Sequence, residues 1–471
     1  MALTSRSLPG PSLTFTIPSL HDGLPLDCRI YHPDSLGALH DGEPWRKHAA
    51  IVAHPYAPLG GCYDDPVVDT VAGTLLQLGF LVGTFNFRCG PSFFSRGAHG
   101  SAGRTSWTAK AERADYMSVV GLVSYYVHFL GPFNEKASSG TAIALQESRE
   151  QQDEEGMTCP VRIRPATPES PESTRRATLP ILLLGGYSYG SMIASQLPQL
   201  ETILKMFSAP KCGTPAAEIR LRAQHLAEMQ NTVLANAREA ATDLRPKSPR
   251  KHVGLRIGGD EDSRRSHESR RPRSTELEEA IRHGVAELMA RTRKGRTSSH
   301  SERGQTPKDL DRVADLATDH LLPIADRTSF TPAYLLVSPL QGIITNLATM
   351  SLPPLFGMSG RTWARFSASG SKDSVSPGLS EPDVLSPGVQ GEAEEKLVQN
   401  ATLAIYGDRD GFVPVRKLRA WASRLETIEN SKFRAHEVSS ADHFWAQRNV
   451  VSTLQEAVNA FASSLLKEST G

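Results

Sequence analysis

Ile181-Leu-Leu-Leu-Gly-Gly-Tyr-Ser-Tyr-Gly190 is the stretch on which the fold turns. An apolar strand runs directly into Gly186-Tyr187-Ser188-Tyr189-Gly190, a G-x-S-x-G box. Ser191-Met-Ile-Ala-Ser-Gln-Leu197 follows with amphipathic helical spacing. A serine at such a strand-to-helix elbow occupies a strained turn, with its hydroxyl exposed and a helix N-terminus behind it. Side chains in place of the flanking glycines would strike the neighbouring strand or helix. The box therefore predicts a nucleophile at Ser188.

The chain around the elbow alternates strands and helices. Leu13–Ile17 and Leu26–Tyr31 read as paired strands about a turn at His21-Asp-Gly23. Ala49–Ala53 is a short buried strand ending at His54-Pro55, and Phe80–Phe87 is another, ending at Arg88. Val67–Leu78 and Ala109–Leu130 are helical by periodicity. Beyond the elbow come strands Ala333–Val337, Ala401–Tyr406 and Phe433–Val438, with helices over Ala420–Leu425 and Val451–Leu466. This alternation predicts an α/β fold: a mostly parallel central sheet with helices on both faces.

Three stretches break the pattern. Residues 135–178, 241–312 and 366–396 are rich in Ser, Pro, Gly and charge and have no periodicity, so they are expected to be disordered inserts. Their removal leaves roughly 320 residues, suited to one large α/β domain. Helices flank the middle insert. One carries Ile219, Ala223, Leu226, Met229 and Val233 as a stripe, the other Leu277, Ile281, Val285 and Leu288. Two readings stand: a helical lid over 213–330, which allows membrane-surface contact, or plain packing on the core.

The 471 residues carry a net charge of +1, which gives no reason to expect nucleic acid binding. No stretch approaches the run of about 20 apolar residues that spans a bilayer. Met1–Gly10 lacks the apolar core of a secretory signal. The five cysteines, Cys28, Cys62, Cys89, Cys159 and Cys212, are scattered, which fits neither a disulfide framework nor a zinc site. A cytoplasmic protein is expected, with no cofactor and no metal.

A serine hydroxyl needs a base to take its proton and a third group to fix the base's tautomer. Tyr406-Gly-Asp-Arg-Asp-Gly-Phe-Val-Pro414 follows a strand and so lies at the carboxyl edge of the sheet beside the elbow. Asp408 and Asp410 both qualify, the alternative role of Asp408 being to accept backbone N–H groups in the turn. Ser440-Ala-Asp-His-Phe-Trp445 follows the last strand and offers His443; His436, inside that strand, reads as structural. Backbone N–H groups of Tyr189 and Tyr56 are the candidate oxyanion donors, since Pro55 and Pro58 have none. Arg88, before the glycine-rich Cys89–Gly100 loop, reads as a loop tie in preference to a ligand for an anionic group. His99 and Asp115 have no catalytic reading, and Asp115 is expected to face solvent or a loop.

These motifs resemble the α/β-hydrolase superfamily. Within it the chain is similar to small bacterial and fungal hydrolases with an H-P-x-x-x-x-G-G loop and an F-N-F-R-G segment, here His54-Pro-Tyr-Ala-Pro-Leu-Gly-Gly61 and Phe85-Asn-Phe-Arg-Cys-Gly90. The resemblance covers residues 12–130, 180–207, 331–360 and 398–467; Cys89 departs from it. It implies an α/β-hydrolase fold, a Ser188–His443–Asp410 triad with Asp410 as the acid, and a small acyl compound such as an ester as substrate. The low-complexity style of the inserts suggests a fungal version. A different class of function is a binding or scaffold module of the same fold whose inserts recruit partners.

Overall fold

The computed structural model describes residues 7–37, 45–88, 101, 103, 105–106, 109–131, 179–243, 274–297, 319–340 and 394–469. The expectations for 135–178, for Cys89–Gly100, for 244–273 and 298–312 of the middle insert and for most of 366–396 lie outside these residues; residues 274–297 of the middle insert, expected to be disordered with 241–312, form a helix.

The strands are β1 (Leu13–Pro18), β2 (Pro25–Tyr31), β3 (Ala49–Ala53), β4 (Leu81–Phe85), β5 (Ile181–Tyr187), β6 (Thr331–Val337), β7 (Ala401–Gly407) and β8 (Phe433–Val438). They form one eight-stranded sheet in the order β1-β2-β4-β3-β5-β6-β7-β8. The β1–β2 and β2–β4 pairs are antiparallel; the rest of the sheet, from β4 to β8, is parallel. The composition of each strand follows from its place. Central β3, β4 and β5 are covered on both faces and are buried at every residue, whereas edge strand β1 alternates. This is the α/β-hydrolase arrangement.

Helices α1 (Pro66–Gln77), α2 (Lys110–Phe129), α3 (Tyr189–Ser195), α4 (Leu200–Lys205), α5 (Pro215–Asp243), α6 (Ser274–Thr297), α7 (Val415–Glu426) and α8 (Arg448–Glu468) complete the fold. One face of the sheet packs α2 to α5 and α7 around Phe85, Tyr116, Leu184 and Phe207. The other packs α1 and α8 around Val52, Leu183, Leu335 and Val458. Asp65 caps α1, its Oδ1 accepting from the N–H groups of Val67 (2.8 Å) and Val68 (3.4 Å), with Pro66 at the first helical position.

Helix α5 packs on α2 and β1, and α6 on α5 and β1. Ile219, Ala223, Leu226 and Ile281 of their apolar stripes are fully buried in the core. Arg222 joins the layers, donating to the Thr16 carbonyl (2.6 Å) and to Glu278 (2.9 Å). Among the described residues no helix is long and apolar enough to cross a membrane.

The structure corrects the expectation for Asp115. Its carboxylate is wholly buried and accepts from Arg88 Nε (2.8 Å), Arg88 Nη2 (2.6 Å) and Ser19 Oγ (2.6 Å). Asp22 accepts from Arg88 Nη1 at 2.7 Å. A guanidinium turned inward from the end of β4 requires such partners, because an unpaired buried charge is strongly destabilising. Arg88 is thus a loop tie, joining the β1–β2 turn, the end of β4 and helix α2.

Candidate active site

Strand β5 delivers Ser188 into an uncommon backbone conformation, φ 54° and ψ −111°. A non-glycine residue there is strained, and strain of this kind persists only where neighbours hold it. The Ser188 N–H donates to the Val337 carbonyl (2.8 Å), and the Ser188 carbonyl accepts from Met192 in α3 (3.0 Å). Both flanking glycines are required sterically. A Cβ on Gly190 would lie 2.6 Å from the Ala53 and His54 carbonyl oxygens, and one on Gly186 2.4 Å from the Gly190 carbonyl carbon. These are backbone atoms, so nothing nearby can rotate away.

The acid loop follows β7, and its two carboxylates separate clearly. Asp410 Oδ1 accepts from the N–H groups of Phe412 (2.8 Å) and Val413 (3.1 Å), which leaves Oδ2 to meet His443 Nδ1 at 2.7 Å. Asp408 instead accepts from the Ser440 N–H (2.7 Å), the turn role open to it from sequence.

His443 stands on the loop after β8. Nε2 lies 2.8 Å from Ser188 Oγ. A carboxylate only accepts, so Nδ1 carries the proton and Nε2 presents its lone pair to the serine hydroxyl. The loop is pinned on either side of the imidazole. Tyr187, the residue before the serine, donates its hydroxyl to the His443 carbonyl (2.7 Å), and Trp445 Nε1 donates to Ser338 Oγ at the end of β6 (3.0 Å). Ser440, Trp445 and Ser338 all have positive φ, so this edge is conformationally tense and held by tertiary bonds. Ser188, Asp410 and His443 are each under one-tenth exposed.

Tyr56 and Tyr189 come together at the elbow, their rings 5.1 Å apart. Tyr56 opens a short 3₁₀ turn, Ala57–Leu59, its carbonyl accepting from Leu59 (3.1 Å) and Gly61 (3.2 Å); Tyr189 is the first residue of α3. In the sequence His54 reads as the end of a strand and the head of the H-P-x-x-x-x-G-G loop, with no contacts of its own assigned. In fact its ring is fully buried and ties two loops: Nδ1 donates to the Pro55 carbonyl (2.5 Å), and Nε2 accepts from the Phe87 N–H (2.8 Å). Burial lowers its pKa to about 4, so it stays neutral, as an accepting Nε2 requires. His436 takes part in none of these bonds and sits in β8 opposite Ile405. A cleft of about 700 Å³ lined by His32, Trp45, His48 and Gln77 opens at the opposite edge, where β3 and β4 begin.

The fold and this elbow define an α/β-hydrolase architecture. No protein-family model matches the chain, and no curated protein matches it. Among solved structures it is similar to an α/β serine hydrolase homologue from Coxiella burnetii, at 12% identity over 96% of this chain and 98% of that one, TM-score 0.33. It is similar to a Pyrococcus furiosus esterase at 8% identity over 96% and 91%, TM-score 0.38. It is also similar to Thermogutta terrifontis esterase 2 at 10% identity over 100% and 98%, TM-score 0.37.

Proposed function

We propose that this protein is a serine hydrolase that cleaves a carboxylic ester of a small molecule through an acyl-enzyme. The observation carrying the proposal is the bridge that His443 makes between Ser188 Oγ (2.8 Å) and Asp410 Oδ2 (2.7 Å). A strained serine, a base with a free lone pair and a carboxylate on its far nitrogen are what activation of a hydroxyl needs.

Ser188 Oγ attacks the acyl carbon while its proton passes to His443 Nε2. Asp410 holds the imidazole's tautomer and stabilises the imidazolium that forms. The N–H groups of Tyr189 and Tyr56 receive the oxyanion, with the N-terminus of α3 adding its dipole. Collapse of the tetrahedral intermediate breaks the bond to the leaving oxygen, which takes the proton from Nε2. Water, deprotonated by His443 Nε2, then attacks the acyl carbon; the Ser188 Oγ–acyl bond breaks, Oγ takes the proton back from Nε2, and the acid is freed. Thioesters and amides fit the same chemistry; an ester is intrinsically easier to cleave than an amide and is the first substrate class to test.

The test is a fluorophosphonate probe applied to wild type and to Ser188→Ala. Labelling of the wild type that is lost in the variant is the expected result. A folded wild type that resists the probe overturns the proposal in favour of a binding role for the fold.

A further inference from the structure

The base loop carries a large apolar side chain that core packing does not account for. Phe444, next to His443, is 64% exposed. Its ring stands edge-on to the imidazole at 5.7 Å and edge-on to Phe412 at 5.6 Å. Phe412, half-buried on the acid loop, lies 4.4 Å from the imidazole. Two aromatic rings from different loops therefore converge on the base. Single exposed apolar side chains are common on protein surfaces; what sets Phe444 apart is its place, paired with Phe412 against the imidazole, where an apolar ligand would remove its area from solvent.

Mechanism says which part of a substrate meets these rings. In the acylation step the Ser188 Oγ–acyl bond forms, the bond from the acyl carbon to the leaving oxygen breaks, and the Ser188 proton travels through Nε2 to that oxygen. The leaving group must accordingly lie within proton-transfer reach of Nε2, so substituents it carries extend over the surroundings of the imidazole. Among the described residues the rings beside the imidazole are Tyr187, Phe412 and Phe444; Tyr187 is buried, which leaves Phe412 and Phe444 to meet a substrate. Resting on the hydrolase proposal above, we infer that Phe412 and Phe444 form the leaving-group subsite, and that the natural substrates are esters of aromatic or similarly flat apolar alcohols. Aromatic rings pair best edge-to-face or offset, which a flat leaving group satisfies against two rings already set at 80° to each other.

The subsite separates from the acyl side kinetically. A benzyl and an ethyl ester of the same acid give one acyl-enzyme and release alkoxides of comparable basicity, so their ratio of kcat/KM reports contacts to the leaving group alone. Wild type is expected to favour the benzyl ester. In Phe444→Ala, whose side chain is mostly in solvent and whose folding is checked by thermal unfolding, that benzyl-to-ethyl ratio falls roughly five- to tenfold. Phe444→Leu, which keeps apolar bulk without the ring, falls between. Deacylation, measured by single turnover of the shared acyl-enzyme, does not discriminate between the two esters. A benzyl-to-ethyl ratio that is the same in wild type and Phe444→Ala overturns the subsite. If the wild type labels with fluorophosphonate yet shows no benzyl preference, the subsite falls and the hydrolase proposal stands. If the wild type does not label at all, both fall.

Discussion

Replacing Asp410 by Asn probes the acid with almost no change of shape, and the structure sets the size of the effect. Oδ1 of Asp410 accepts from two backbone N–H groups, those of Phe412 and Val413. In the Asp410→Asn variant the amide's carbonyl oxygen must keep that position, because an NH₂ there would face two donors. The NH₂ is then directed at His443 Nδ1 in place of Oδ2. Nδ1 is forced to accept, the ring proton moves to Nε2, and the lone pair that should take the Ser188 proton is gone. Charge is lost as well. A carboxylate and an imidazolium whose charge centres lie about 4 Å apart attract by about 4 kcal/mol at an effective dielectric of 20. At about 1.4 kcal/mol per decade, the electrostatic loss alone is about 10³ in kcat, and the tautomer adds to it. Asp410→Asn should therefore lower kcat by about 10³ to 10⁴. Asp408→Asn keeps a carbonyl to accept the Ser440 N–H and should cost less than about tenfold. The assay is kcat and the second-order rate of fluorophosphonate labelling for both variants, with thermal unfolding as a control for folding. Asp410→Asn retaining more than a tenth of wild-type kcat, or equal losses in the two variants, would refute the assignment.

Two further outcomes follow from the same contacts. Tyr187→Phe keeps a ring beside the imidazole but removes the hydroxyl that donates to the His443 carbonyl. With a hydrogen bond worth about 1 kcal/mol in positioning, kcat/KM should fall roughly fivefold; a lowered Tm with unchanged kcat/KM would confine that bond to stability. His54 is held at a pKa of about 4 against 6.5 unfolded. As pH falls, the unfolded chain takes up this proton first, so the contribution of a neutral His54 is complete above about 6.5 and declines by up to about 1.4 kcal/mol per pH unit toward about 4. Urea unfolding across that window should show a slope reduced by one proton's worth in His54→Gln, and identical slopes would count against the burial account.

The elbow and its partners were legible because the fold converts chain order into proximity. Ser188 and His443 are 255 residues apart. Yet each functional box follows a strand of the parallel half of the sheet, and the carboxyl ends of parallel strands share one edge. A reader who finds three boxes in order, each after an apolar run, has found neighbours without any contact information. What escaped were polar groups whose partners lie across the fold or on the backbone. Asp115 read as a surface carboxylate because most are; its burial follows from Arg88, 27 residues earlier, turning inward. His54 is held by the Phe87 N–H and the Pro55 carbonyl, and a backbone group has no letter of its own in a sequence. Lys396 makes the point most sharply. It belongs to the 366–396 stretch, whose composition speaks for disorder, yet it is wholly buried. Its Nζ donates to the Ala194 carbonyl at 3.2 Å and also to the Leu197 carbonyl, where α3 ends and leaves acceptors without intrahelical donors. Burial pushes its pKa well below the usual lysine range. A donor for the open carbonyls of a helix C-terminus is favourable on general grounds, but which helix it reaches is a tertiary fact. Composition describes a segment's average, whereas one lysine at the end of α3 is decided by the carbonyls waiting there.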